Sequence, residues 1–189
     1  MTHNADPVGW ATEQWQREHP GADLSGLEFN GRLITLRRTL DAHSAAVLAA
    51  RDLQVWEWDV LSTLWRHRSV PVTMSELGTL LLITPGSVTN RIVRMEDRGL
   101  VVRETDPASR RRVLVGLTAQ GEQALAAALP DVLDASARLR DALAGIDLAG
   151  LNEQLAAIAR RLAEHGDPDI SGRRRLVSVD HEGRGREER

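Results

Sequence analysis

The stretch MSELGTLLLITPGSVTNRIVRMEDRGLVVRETDPASRRRVLVGLT, residues 74–118, decides the fold. Just ahead of it, Thr73 and Glu76 have the spacing of a capping box, in which each side chain takes the other residue's free backbone N–H. That pair opens a short helix, MSELGTLL. After Ile83, Thr84 is placed to cap a second helix and Pro85 to occupy its first position. This helix runs to about Arg98 and stops at Gly99, where a left-handed residue is needed. Two short helices joined by a tight turn form a helix-turn-helix. Next, LVVRE (100–104) is rich in β-formers, DPASRRR (106–112) reads as a turn, and Val113, Val115 and Leu117 alternate along a second strand. The expectation is a hairpin with an arginine-rich tip.

Outward from this centre the chain is helical. Residues 7–18 form a short helix behind Pro7 with Trp10 and Trp15, and HPGADLSG (19–26) is a loop. Leu27, Leu33, Leu36, Leu40 and Val47 recur mostly at three- and four-residue intervals, which predicts a long helix over 27–50. A further helix over 54–66 carries Trp56, Val60 and Leu64 on one face. Thr118 caps an alanine- and leucine-rich helix to about 144. Leu148, Leu151, Leu155, Ile158 and Leu162 then repeat 3-4-3-4 over 148–165, a heptad seam that packs against another helix. Beyond Gly166 the chain is charged and glycine-rich, and disorder is expected there. The expected organisation is an N-terminal helix and loop (1–26), a main domain (27–165) and a charged tail (166–189). The fold class is mainly α with a small β-hairpin wing. Within the main domain, 54–118 is the winged helix-turn-helix lobe, and 27–50 and 119–165 are dimerisation helices.

At 189 residues this is one domain with some trailing sequence, and 42% hydrophobic with 27% charged residues is a globular composition. Cysteine is absent, which excludes disulfide frameworks, thiolate zinc sites and thiol nucleophiles. No apolar run reaches the ~18 residues of a membrane span, and the first twenty residues do not read as a secretory signal. A cytoplasmic protein is expected. The net charge of −3 hides a segregation: residues 84–112 hold seven arginines against four acids, a local +3, whereas residues 1–60 sum to −4 and 113–165 to −3. A basic stripe on an acidic chain is the electrostatic footprint of nucleic-acid binding.

The 84–98 helix has two faces. Val88, Ile92 and Met95 dock it, while Ser87, Asn90, Arg91 and Arg94 share another face, with Thr84 and Thr89 adding hydroxyls. At ~1.5 Å rise per residue it is long enough to lie along a major groove. Arginine reads guanine edges, asparagine reads adenine, and hydroxyls hold phosphates. A solvated polar face is the other reading. Arg110, Arg111 and Arg112, projecting past an Asp-Pro turn, suit a narrow minor groove and favour the DNA reading.

The run WDVLSTLWR (58–66), with residues 74–118, resembles the MarR family of winged-helix transcription regulators. The resemblance covers about 27–165, and its most specific part is the GLVVRE-DPxxxRR-LVxLT pattern. It implies a homodimer with interlocking terminal helices, bound to a pseudo-palindromic double-stranded operator as a repressor. In the wing, Ser109 precedes Arg110 where many relatives have an acid. This leaves a wing-bracing acid–arginine pair open at that position, while the groove-reaching arginines remain.

The chain is also similar to the branch of that family that responds to urate or trans-aconitate and has an extra N-terminal helix. That likeness implies an effector site of Trp15, Asp59, Arg91 and Arg103 for a small anionic or aromatic ligand. Two arginines can neutralise such an anion with directional bonds, the indole is a flat wall, and Asp59 opposes the arginines in the empty state. Structural roles stand beside each assignment: Trp15 as an anchor of its helix, Asp59 as an ion-pair partner, Arg91 as a phosphate contact, Arg103 as a partner of Glu104 or Asp106. No catalytic constellation is found, and no cofactor or metal is expected. The six histidines are scattered, and zinc held by His67 with acids across a dimer is the remote exception. Two other functions remain open, a MarR-type regulator with an unrelated effector or none, and a helical protein-interaction module.

Overall fold

The computed structural model describes residues 6–164, so the tail over 166–189 lies outside the described residues. Seven helices and three strands follow in order: α1 (Pro7–Glu18), α2 (Ser25–Ala49), α3 (Val55–Arg66), β1 (Val72–Thr73), α4 (Met74–Leu81), α5 (Pro85–Asp97), β2 (Val101–Asp106), β3 (Ser109–Leu117), α6 (Ala119–Ala142) and α7 (Leu148–Glu164). The strands form an antiparallel sheet in the order β1-β3-β2. This is a winged helix-turn-helix between long flanking helices. No helix of the described residues is long and apolar enough to cross a membrane.

Local chemistry sets the boundaries. Thr73 Oγ1 accepts from the Glu76 N–H at 3.2 Å and the Glu76 carboxylate accepts from the Thr73 N–H at 2.8 Å, which completes the capping box of α4. Thr84 caps α5 ahead of Pro85. At the other end Gly99 takes φ +69°, and the Leu100 N–H returns to the Met95 carbonyl at 2.9 Å, closing the helix. Thr118 then joins two elements at once. Its hydroxyl donates to the Gly99 carbonyl at 2.6 Å and accepts from the Gly121 N–H at 3.0 Å. The start of α6 is thereby pressed onto the wing, so closely that a Cβ on Gly121 would collide with the Leu100 carbonyl.

The core lies inside the winged-helix lobe. Val60, Leu61, Leu77, Ile92 and Met95 are fully buried, joined by Leu100, Val101 and Val115 from the wing. Leu125 and Ala128 of α6 and Leu48 of α2 close it. The flanking helices are different. Leu27, Leu33 and Leu36 of α2, Leu129 and Leu133 of α6, and Leu151, Leu155 and Leu162 of α7 are exposed, and α7 has no buried residue. Apolar stripes at helical spacing are thus left without a partner within one chain.

Three expectations need correction. The helix expected over 27–50 begins at Ser25, and the one expected to reach 144 ends at Ala142. β1 was not foreseen, since two residues carry no period. The third concerns the wing: only residues 107 and 108 turn, and Arg110, Arg111 and Arg112 belong to β3. They fall where the register jumps from Thr105↔Val113 to Asp106↔Ser109, so these three β3 residues have no partner in the pairing of β2. The Asp-Pro pair turns the chain early, and the arginines occupy a bulge rather than a loop tip.

Candidate nucleic-acid interface and effector cavity

The side chains of α5 sort as the helical period requires. Val88, Ile92 and Met95 are buried, Ser87 and Arg91 half-buried, and Thr89, Asn90 and Arg94 exposed. The three hydroxyls in the expected reading set are already engaged. Thr84 Oγ1 and Ser87 Oγ share a hydrogen bond of 2.9 Å, and the Thr89 hydroxyl donates to the Pro85 carbonyl at 3.1 Å. Asn90, Arg91 and Arg94 therefore carry the chemistry that α5 offers. Both arginines lean on Trp56 at the start of α3, with guanidinium carbons 5.7 Å (Arg91) and 5.1 Å (Arg94) from the ring centroid.

The end of α5 is held by a contact absent from the expected site. Arg98 Nη1 donates to both oxygens of Glu57 at 2.7 and 2.8 Å, and Nη2 donates to the carbonyl and carboxylate of Asp52 at 2.7 Å each. Glu57 is 2% exposed and also accepts from the Gln54 N–H at 2.8 Å, so its burial is fully compensated. Asp52 holds its place with φ +54°, in the left-handed region. The one sequence signal was the acid of QVWEWDVL, a charge between two tryptophans at the third position of a helix.

In the wing Arg111 and Arg112 are exposed. Arg112 Nε lies 3.4 Å from Asp106 Oδ2. An acid–arginine brace is therefore present, with the acid supplied by the residue that opens the turn rather than by position 109. Arg103 of β2 donates from Nε to Glu96 Oε2 of α5 at 2.8 Å, which holds the Glu96 carboxyl below its usual range. Neither Glu104 nor Asp106 is the partner foreseen for Arg103; Glu96, seven residues back, is.

Two cavities bear on the effector set. One of about 460 Å³ lies among α2, α3 and α6, lined by apolar residues with Arg37, Asp41, His43, Ser44, Asp59 and Ser136. Arg37 donates to both Asp41 oxygens at 2.7 Å. Burial pushes the Asp59 carboxyl above its ordinary range, with Arg37 and Arg91 opposing. The second cavity, about 290 Å³, lies between α1 and α2 and is lined by Trp15 with Val8, Ala11, Leu27 and Ile34. Trp15 also stacks on His19, with ring centroids 5.8 Å apart. Within one chain the four residues of the expected effector site thus do not meet. Asp59 and Arg91 are electrostatically coupled, Trp15 faces another cavity, and Arg103 is occupied by Glu96. Among the described residues no group of three or more His, Asp or Glu side chains is arranged to hold a metal. His67 Nδ1 lies 2.8 Å from the Thr63 carbonyl and donates to it.

A profile of the MarR family matches residues 51–112. Over 47 residues the chain is 55% identical to the transcriptional regulator HosA of Escherichia coli, a quarter of this chain (25%) and 35% of that protein. Over 111 residues it is 30% identical to the HTH-type transcriptional regulator PecS of Dickeya dadantii, 58% of this chain and 66% of that one. The chain thus spans under two thirds of each of these two relatives. A crystal structure of a MarR mutant of Escherichia coli complexed with operator DNA superposes with a TM-score of 0.65 at 25% identity, covering 72% of this chain and 99% of that one.

Proposed function

Residues 51–112 put this chain in the MarR family of winged-helix transcription regulators, and from that premise we propose that it is a sequence-specific DNA-binding repressor. It works as a homodimer on a pseudo-palindromic operator and is released by a small anionic effector. The observation that carries the DNA reading is α5 itself, with Asn90 and Arg94 exposed beside a wing that exposes Arg111 and Arg112. Arginine forks on α5 suit base edges in the major groove, and those of the bulged strand suit phosphate or the minor groove. The likeness to a solved operator complex supports the same reading. Two reading helices then enter successive major grooves about 34 Å apart. The exposed leucines of α2, α6 and α7 support the dimer, because stripes of that kind are stable only when covered.

The effector enters the cavity beside Asp59, whose volume lies within the roughly 300–1,000 Å³ usual for small-molecule sites. Asp59 and Arg91 are the members of the expected set that this reading retains at the cavity. An anion there shifts the balance between Asp59 and Arg91 and draws Arg91 inward. Because Arg91 belongs to α5, the reading helix moves with it. Release requires the ligand to favour the DNA-incompetent form by the ~1–3 kcal/mol typical of allosteric coupling.

The test is a mobility-shift titration on a duplex selected from random-sequence DNA, with and without urate and trans-aconitate. Tight binding that falls steeply with salt and is lost with either compound supports the whole proposal. Binding indifferent to both keeps the regulator and removes these effectors. Failure to enrich any duplex returns the chain to the interaction-module reading. Arg91→Ala with effector sensitivity intact would exclude the shared-residue mechanism.

A further inference from the structure

We infer that Trp56 is a positioning residue for DNA recognition, holding the guanidinium groups of Arg91 and Arg94 as one unit on the reading helix; the inference rests on the DNA-binding reading above. Arg91, Arg94 and Arg98 recur at i, i+3 and i+7, one face of α5, and all three meet the first turn of α3. Arg98 is locked into Glu57, and the other two lie against the indole immediately before it. Among the described residues the ion pairs made from α5 are those of Glu96 and Arg98, so the indole is the close partner of Arg91 and Arg94.

The geometry suits this purpose. A guanidinium stacked on a ring spends its face and keeps its N–H donors, which lie in its plane, for bases or phosphates. An ion pair would consume those donors instead. Trp56 is itself half-buried and packs on the core cluster, so the platform is fixed. Two long side chains that would otherwise sample many rotamers are thereby ordered before DNA arrives. Removing such a loss of freedom in advance tightens binding without a new contact.

The test uses the duplex selected with the wild-type protein, and the variants Trp56→Leu and Trp56→Phe. A cation–π contact at an accessible site is worth a factor of about two to five. With two arginines in each protomer, W56L is expected to weaken binding about tenfold or more, and W56F to restore most of it. In an Arg91→Ala/Arg94→Ala background, W56L is expected to change affinity less than twofold. A merely structural tryptophan would lower affinity equally in both backgrounds. Wild-type affinity in W56L, or equal losses in both backgrounds, overturns the inference. If W56L does not fold by circular dichroism, NMR of the wild type decides. The side-chain proton signals of Arg91 and Arg94 should be ring-current shifted and stay so in the complex, and loss of those shifts on adding the duplex overturns it. If no duplex is enriched with the wild type, the DNA-binding reading falls and the inference with it.

Discussion

Removing the Arg98 guanidinium isolates a carboxylate in the core. Glu57 is 2% exposed, and Arg98 supplies two of its hydrogen bonds, leaving only the Gln54 N–H as a partner. Breaking a buried pair from one side costs about 3–5 kcal/mol. The Arg98 side chain is 36% exposed, so water reaches the gap and the loss for Arg98→Ala is expected at about 2–4 kcal/mol. For a chain of this size that corresponds to roughly 5–15 °C in Tm. Adding Glu57→Gln removes the stranded charge and keeps an acceptor for Gln54, so the double variant should recover about 1–2 kcal/mol over Arg98→Ala alone. Urea unfolding followed by circular dichroism measures this, at one protein concentration because association contributes to stability. A loss below about 1 kcal/mol for Arg98→Ala, or a further loss on adding Glu57→Gln, would refute the account.

Three further outcomes follow from other contacts. Gly121→Ala drives a methyl into the Leu100 carbonyl and should cost about 3 kcal/mol, read as a fall in Tm. Asp59 has its pKa raised by burial, so the folded state prefers its protonated form; that preference counts fully below the unfolded carboxylate pKa and is lost as pH rises through the folded one. Asp59→Asn should therefore stabilise the protein at neutral pH, with the advantage vanishing below about pH 4, checked by urea midpoints across pH. Arg111→Ala should weaken DNA binding evenly across sequences and lower the salt slope by about one, measured by mobility shifts over a salt series.

Where structure is decided within a few residues, the sequence was informative. Thr73 with Glu76, Thr84 with Pro85, Gly99 and Thr118 each mark a helix end, because caps satisfy backbone groups one turn away. The buried triplet Val88, Ile92 and Met95 was legible from its period. The Glu57–Arg98 clamp was not, since its halves lie 41 residues apart and neither belongs to a local pattern. The wing arginines were misplaced because register depends on the pairing partner, and the bulge opposite Thr105 and Asp106 leaves no mark in composition. The effector residues were chosen by likeness, which carries no distances; Trp15 and Asp59 line separate cavities of the single chain.

Arg51 and Asp52 are neighbours in sequence and hold different parts of the molecule. Arg51 grips Asp131 on α6 at 2.6 Å, while Asp52 grips Arg98 at the end of α5 at 2.7 Å. The peptide plane between them is rigid, so the torsions available to relay a movement from one grip to the other are ψ of Arg51 and φ of Asp52. That φ already sits at +54°, in a basin far narrower than the helical or extended ones. The two grips are in effect geared through a single stiff joint. A rotation of the reading helix against α6 must turn that joint out of its basin or open one of the ion pairs, and either event makes the movement a step rather than a drift.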